Sequence, residues 1–163
     1  MAYDVTLARG ALAGLLDIRA AAGLLAETLG PQGIALPERP NTAAGDGALR
    51  LHWLGPAHWL LEGEEARLAA LAPVLASAGL SAVVVSDAYL AFALDGPDVG
   101  EVLAQATPLD LDPAVFPSDG ATFTEFFGQT ALIAPDPAGA GFRVLVARSY
   151  ADYLEDCLRA AVG

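Results

Sequence analysis

The sequence predicts an α+β fold in which helices pack on a mixed or antiparallel sheet. Segments in which apolar and polar residues alternate, as in half-buried strands, come in pairs separated by short turns. Stretches with apolar residues at helical spacing lie between these pairs. Helices that alternate with hairpins favour an antiparallel sheet covered by helices. The length of 163 residues fits a single domain, or two small lobes over 1–47 and 48–163.

At the start of the chain, an apolar run predicts a strand over 12–18, followed by a helix over 20–29. Gly30 and Pro31 are expected to end this helix, because glycine caps it and proline cannot continue it. Residues 32–47 are rich in glycine and proline and predict a loop.

The middle of the chain has the clearest strand patterns. Leu49, Leu51 and Trp53 alternate with more polar residues and predict a strand, and a second strand follows over 57–61 after a Gly-Pro turn. A helix is expected over 64–77, bent at Pro73, and strands over 82–85 and 89–94. The whole stretch from Leu49 to Phe127 is compatible with a ferredoxin-like βαββαβ unit.

The last third begins with a helix opened by Pro97 and ended by Pro108. Strands are expected over 122–127, 130–134 and 142–147. The final helix has Ser149 as its expected N-cap. Its predicted apolar stripe comprises Tyr150, Tyr153, Leu154, Cys157, Leu158 and Ala161.

Composition excludes several functions. Eight basic and twenty acidic residues give a charge of −12, which repels phosphate backbones and argues against nucleic-acid binding. No apolar run approaches the roughly 20 residues of a membrane span. Every basic residue is arginine, so lysine Schiff bases and phosphate-loop lysines are excluded. One cysteine and a start without a basic, apolar leader favour a cytoplasmic protein.

The residues capable of chemistry form no recognisable active site. His52 and His58 lack further ligands at metal-binding spacing, and both are expected on the solvated side of strands. Cys157 is interpreted as core packing. Asp110 and Asp112 suit cation binding or proton transfer, but turn formation also explains them.

The glycine pairs Gly45–Gly47 and Gly139–Gly141 lack the third glycine of a dinucleotide loop and are interpreted as turns. The sequence therefore predicts no catalytic, cofactor-binding or metal site on this chain.

Five motifs in register resemble the sarcosine oxidase gamma subunit family over nearly the whole chain. They are the segments at 40–42 (PNT), 51–60 (LHWLGPAHWL), 94–97 (LDGP), 108–117 (PLDLDPAVFP) and 148–154 (RSYADYL). The chain departs from the family pattern at Ala57, His58, Ala88, Tyr89 and Glu155.

The resemblance implies a non-catalytic subunit of a heterotetrameric flavoenzyme that oxidatively demethylates sarcosine or a related N-methyl amino acid. The implied products are the demethylated amino acid, hydrogen peroxide, and formaldehyde or methylene-tetrahydrofolate. FAD, FMN, NAD and tetrahydrofolate are implied for the alpha and beta subunits, and zinc for the delta subunit. The implied fold is similar to part of the folate-binding aminomethyltransferase domain.

Two alternatives stay open: a stand-alone folate-binding protein of the aminomethyltransferase type, and an unrelated small enzyme using Asp110, Asp112 or a histidine.

The segment from Pro108 to Pro117 is the expected contact with a larger subunit. Its prolines bar it from a regular helix or a central strand, so its apolar side chains must be buried in another way. An internal packing loop is the competing interpretation. The predicted interface residues are Leu109, Leu111, Val115 and Phe116.

Overall fold

The computed structural model describes residues 2–10, 14–45, 48–137, 139 and 141–163. The chain divides into two compact units. The central unit is Leu12–Ser86, and the terminal unit combines Met1–Ala11 with Asp87–Gly163. The division thus falls after Ser86, whereas the sequence-based alternative placed it after residue 47.

The described residues form ten strands and four α-helices. The strands are β1 Thr6–Gly10, β2 Leu15–Arg19, β3 Ala43–Gly45, β4 Leu49–Gly55, β5 His58–Gly63, β6 Ser81–Val84, β7 Tyr89–Asp95, β8 Thr122–Phe126, β9 Gln129–Pro135 and β10 Phe142–Ala147. The helices are α1 Ala22–Leu29, α2 Glu65–Ser77, α3 Val99–Ala106 and α4 Ala151–Val162.

The central unit has a five-stranded antiparallel sheet in the order β3-β4-β5-β2-β6. The path β2-α1-β4-β5-α2-β6 follows the ferredoxin-like βαββαβ order, and β3 is an additional strand beside β4. Helices α1 and α2 cover one face of this sheet. Their buried leucines are Leu25, Leu29, Leu68, Leu71 and Leu75, and they pack with Leu16, Ile18, Leu51, Trp59 and Leu61 of the sheet.

The terminal unit repeats this arrangement with its last strand taken from the start of the chain. Its antiparallel sheet has the order β1-β7-β10-β9-β8. The path β7-α3-β9-β10-α4 is completed by β1, and β8 takes the place that β3 has in the central unit. The core is formed by α3 and α4 against the sheet, with Phe92, Leu94, Ile133, Val144, Val146, Leu154 and Leu158 fully buried.

The α+β class and the antiparallel sheets with helices packed on them are confirmed. The position of the ferredoxin-like unit differs from the expectation over Leu49–Phe127, because the strands in that stretch belong to two sheets. Strands β6 and β7 follow one another after a short 3-10 turn, yet β6 pairs with β2 and β7 pairs with β1 and β10. Alternating hydrophobicity identifies a strand but not its partner.

Two strands were not expected from the sequence. Strand β1 is mostly exposed and pairs with residues far along the chain, such as Thr6 with Asp95. Strand β3 has three residues within the stretch interpreted as a loop. The strand expected over 12–18 begins at Leu15, and its positions 12 and 13 lie outside the described residues.

Helix α1 ends at Leu29 with Gly30 as its C-cap, as predicted, and a separate 3-10 turn over Gly30–Gln32 follows. The starts of the helices differ from the expected positions by one or two residues. Helix α3 starts at Val99, after Pro97, and α2 runs through Pro73 to Ser77. Ser149 is not the N-cap of α4, because a 3-10 turn over Arg148–Tyr150 precedes the helix.

Candidate functional site

The segment between Thr107 and Phe116 is held by backbone hydrogen bonds to its own polar side chains. Thr107 Oγ1 accepts from the Leu109 N–H at 3.2 Å. The carboxylates of Asp110 and Asp112 accept from the N–H groups of Asp112 and Ala114 at 3.0 and 2.8 Å. Both aspartates thus shape turns, which confirms the turn-forming interpretation of this pair.

The four predicted interface residues do not share one environment. Leu109 and Leu111 pack, partly buried, against the core of the terminal unit. The ring of Phe116 lies 6.4 Å from that of Phe142 and also contacts the backbone at Gly120, where a Cβ would come within 2.8 Å of it. Val115 is 63% exposed. Three of the four residues therefore stabilise their own unit, and Val115 projects into solvent.

The same segment borders an open groove with α3. The groove has a volume of about 560 Å³, and Gly100 and Ala104 of α3 face Leu109, Asp110 and Leu111 across it. Gly100 and Ala104 have side chains too small to fill the space between α3 and this segment.

His52 is buried, which contradicts its expected position on a solvated side. Only 1% of its surface is exposed, and its Nε2 lies 3.5 Å from Oε2 of the buried Glu62 on β5. The alternation along β4 was interpreted correctly, with Leu51 on the helix-covered face. The opposite face is also buried at Leu15 and Leu60, and a strand buried on both faces hides its polar residues too.

His58 is half-buried and belongs to a small polar cluster on β2 and β5. Its Nε2 lies 2.9 Å from Oδ2 of Asp17, and Arg19 Nε donates to Oδ1 of the same carboxylate at 2.9 Å. Partial burial alone would raise the pKa of Asp17, but the hydrogen bonds from Arg19 and His58 outweigh it and lower that pKa below its ordinary value. The cluster joins β2 to β5, because the Asp17 carboxylate contacts Arg19 on its own strand and His58 on the neighbouring strand.

A second polar network joins β1 to α4. Arg9 contacts Asp152 and Glu155, each at 2.5 Å, and Arg159 contacts Glu155 at 2.6 Å one helical turn away. Hydrogen bonds from Arg159 and then Arg9 lower the pKa of Glu155. Glu155 is one of the positions where the chain departs from the motif pattern, and here it binds two arginines.

Arg148, in the same motif, stabilises the start of β7. Its guanidinium donates to the backbone oxygens of Asp87 and Tyr89 at 2.7 and 3.2 Å. This side chain therefore has a structural role at the beginning of the terminal unit.

Cys157 is not part of the core, contrary to its interpretation from the helical stripe. The buried residues of α4 are Ala151, Leu154 and Leu158, and Cys157 is only half-buried. Its side chain forms a hydrogen bond with the Tyr153 hydroxyl, and this bond raises the pKa of that hydroxyl. The buried face of α4 is therefore narrower than the apolar stripe that the sequence predicted.

The described residues bring together no group of three metal-ligating side chains. The glycine pairs expected in turns fall partly outside the described residues, at positions 46, 47 and 140. Gly45 has a φ of 134°, which only glycine adopts without strain. Among the described residues, no helix has the length and apolar composition that a membrane crossing requires.

Two ferredoxin-like units, each with an additional edge strand, define a small α+β protein. The model of the "Sarcosine oxidase, gamma subunit family" matches residues 20–162. The chain belongs to this family. No curated protein matches the chain significantly.

One solved structure agrees with this assignment. A chain of the heterotetrameric sarcosine oxidase from Corynebacterium sp. U-96, in complex with pyrrole 2-carboxylate, is 28% identical. The match covers 97% of this chain and 83% of that one, with a TM-score of 0.87. The regulatory subunit of aspartate kinase from Thermus thermophilus is similar in fold alone, at 18% identity and a TM-score of 0.50, with 96% and 98% covered.

Proposed function

We propose that this chain is the non-catalytic gamma subunit of a heterotetrameric sarcosine oxidase-type enzyme, with alpha, beta and delta subunits as its partners. The observation that carries the proposal is the family match over residues 20–162 together with the 97% structural coverage by a sarcosine oxidase chain. The complex oxidatively demethylates sarcosine or a related N-methyl amino acid in the cytoplasm.

The complete reaction requires groups that we assign to the other subunits. A flavin in the larger subunits would supply the two-electron oxidation of the N-methyl carbon, and O₂ would be the final oxidant that becomes hydrogen peroxide. Water would release the oxidised carbon as formaldehyde, or tetrahydrofolate would take it up as methylene-tetrahydrofolate. FAD, FMN, NAD and tetrahydrofolate belong to the large subunits and zinc to the delta subunit in this proposal.

The non-catalytic role is supported by what the candidate residues do. His58 binds Asp17, His52 is buried beside Glu62, and Asp110 and Asp112 accept from backbone N–H groups. A general acid or base must reach the substrate within about 2.6–3.2 Å, directly or through one water. These side chains instead have partners within the protein.

The segment at 108–117 is proposed to contact a larger subunit. Leu109, Leu111 and Phe116 support its conformation from the inside, and Val115 supplies the exposed apolar contact. A rigid segment that presents one apolar side chain loses little conformational entropy when it binds.

Co-expression with the candidate large subunits tests the proposed function. An affinity tag on this chain should recover flavin-coloured complexes that oxidise sarcosine with release of hydrogen peroxide. Recovery of the chain alone, together with measurable tetrahydrofolate binding by it, would instead support the stand-alone folate-binding protein.

A further inference from the structure

Strand β6 ends the sheet of the central unit with an open edge. Among the described residues it pairs only with β2, on one side, and the ladder continues past the strand because the Val85 N–H donates to the Leu15 oxygen at 2.9 Å. Hydrogen-bonding residues alternate along an antiparallel pair. Since Val85 faces β2, Val83 also does, and the backbone N–H and C=O groups of Ala82 and Val84 point away from the sheet.

Both faces of this strand are exposed at Val83 and Val84, whereas Ala82 is partly buried against the core. Val83 is 57% exposed and Val84 is 63% exposed, and neighbours along a strand project to opposite faces. The sequence from Leu80 to Val85 contains no charged residue and no proline. An edge of this kind is a template for pairing with another strand.

The other three terminal strands in the part of the chain that the structure describes carry features that oppose pairing. Strand β1 includes Arg9, which binds Asp152 and Glu155. Strand β3 has three residues, and β8 includes the exposed Glu125. Proteins protect sheet edges with charges and with short strands. Strand β6 has four residues and no charged side chain, so its edge lacks the charges that β1 and β8 carry.

We propose that β6 is a docking edge for an extended, uncharged strand of a larger subunit of the oxidase, which adds to the central unit's sheet as a sixth strand. This inference rests on the proposed function. Backbone hydrogen bonds to Ala82 and Val84 supply the affinity, and the exposed valines select apolar side chains on the incoming strand.

Charge identifies the occupant as a different chain. Each copy of this protein carries a charge of −12, so pairing of two copies through β6 brings like-charged molecules together. A strand from a less acidic subunit meets no such repulsion. Its residues opposite the uncharged stretch of β6 must themselves be uncharged, because an unpaired charge buried there is costly.

Val84→Lys tests the edge in the co-expressed complex. A lysine at this exposed position leaves the fold intact but places a charge where the incoming strand packs. The dissociation constant of the subunit should rise about 30-fold or more, as expected when an interface anchor is lost. Leu24→Lys is the matched control, since Leu24 is an exposed leucine on α1 of the same unit, and its affinity should stay within about threefold of wild type.

Hydrogen exchange gives an independent readout. The amides of Ala82 and Val84 should exchange rapidly in the separate chain and become protected in the complex, whereas the amide of Val83 is protected in both. Unchanged exchange at Ala82 and Val84 in an assembled, active complex overturns the docking edge and leaves the proposed function standing. Concentration-dependent dimers of the chain alone, abolished by Val84→Lys, would overturn it in favour of a second copy. Failure to assemble with any flavin-containing subunit contradicts the proposed function itself.

Discussion

At the scale of single residues, the two histidines show how one sequence pattern covers two environments. Both follow an apolar residue in adjacent strands and precede a tryptophan. His58 is half-buried and hydrogen-bonded to Asp17, whereas His52 is buried beside Glu62. The difference arises because the face opposite the helices is buried around His52, which the period of the strand does not reveal.

We predict that His52→Ala and His58→Ala leave turnover of the assembled enzyme nearly unchanged. Loss of a catalytic acid or base typically lowers the rate by about 10² to 10⁴. The two variants should differ in stability: His52→Ala removes a buried side chain and leaves Glu62 without this neighbour, at a cost of about 1–3 kcal/mol. Steady-state kinetics and denaturant unfolding check both points. A rate loss of a hundredfold in an intact complex contradicts the non-catalytic role.

The lowered pKa of Asp17 is expected to make the free energy of unfolding depend on pH. Its pKa is lower in the folded protein than in the unfolded chain, so its contribution is present above the unfolded pKa of about 3.9 and is lost as the pH falls through the folded value. Asp17→Asn should therefore be less stable than wild type near neutral pH and lose less stability between about pH 5 and pH 3. Unfolding curves at several pH values measure this. Parallel losses in the two proteins would show that Asp17 does not contribute.

At the scale of elements, the segment at 108–117 was expected to contact a partner, with an internal packing loop as the competing interpretation. Part of the segment packs internally, and the contact with a partner stays a prediction. Phe116 packs on Phe142, and Val115 is exposed. The internal-packing interpretation therefore applies to Phe116, and Val115 is the residue left available for a contact with a partner.

Phe116→Ala should lower the stability of the chain, whereas Val115→Ser should weaken its assembly with the larger subunit. Phe116→Ala removes a half-buried ring and should destabilise the chain itself, by less than the about 3–5 kcal/mol of a fully buried phenylalanine. Val115→Ser should leave the melting temperature unchanged and weaken assembly, by up to about 2 kcal/mol if Val115 anchors the contact. Calorimetry of the chain and subunit affinity measured by titration distinguish them. Unchanged affinity for Val115→Ser refutes the interface at this segment.

Helix α4 shows why an element's existence is easier to predict than its faces. The spacing of its apolar residues correctly predicts a helix, and Leu154 and Leu158 are buried as expected. Tyr150 and Tyr153 are exposed by 46% and 52%. An aromatic residue at helical spacing fits the stripe in sequence, but the neighbouring sheet fixes which narrow arc of the helix is covered.

At the scale of the whole molecule, the chain contains the same strand order twice. In the terminal unit the last position is taken by β1, which comes from the opposite end of the sequence. The N-terminal strand is therefore required to complete the second sheet. No repeat at a fixed period appears in the sequence, because the order of the elements is shared and the residues are not.

The separate chain should bind neither flavin nor nicotinamide. The sequence has no lysine and no dinucleotide fingerprint, and the proposed function assigns those cofactors to the larger subunits. Absorbance spectra and equilibrium dialysis of the purified chain check this, with the assembled enzyme as the positive control. Flavin bound to the chain at near-stoichiometric occupancy contradicts the assignment.

The sequence by itself determined the α+β class, the positions of most strands and helices, and the family, because these depend on local periodicity and on motifs within short stretches. Leu68, Leu71 and Leu75 on α2, and the four buried residues of α3, lie at helical spacing in the sequence. Only the tertiary structure decided which strands share a sheet, that His52 is buried, and that β6 has an open edge. Pairing joins residues as far apart as Thr6 and Asp95, and burial depends on what covers each face. Local hydrophobicity encodes neither the pairing of strands nor the covering of their faces.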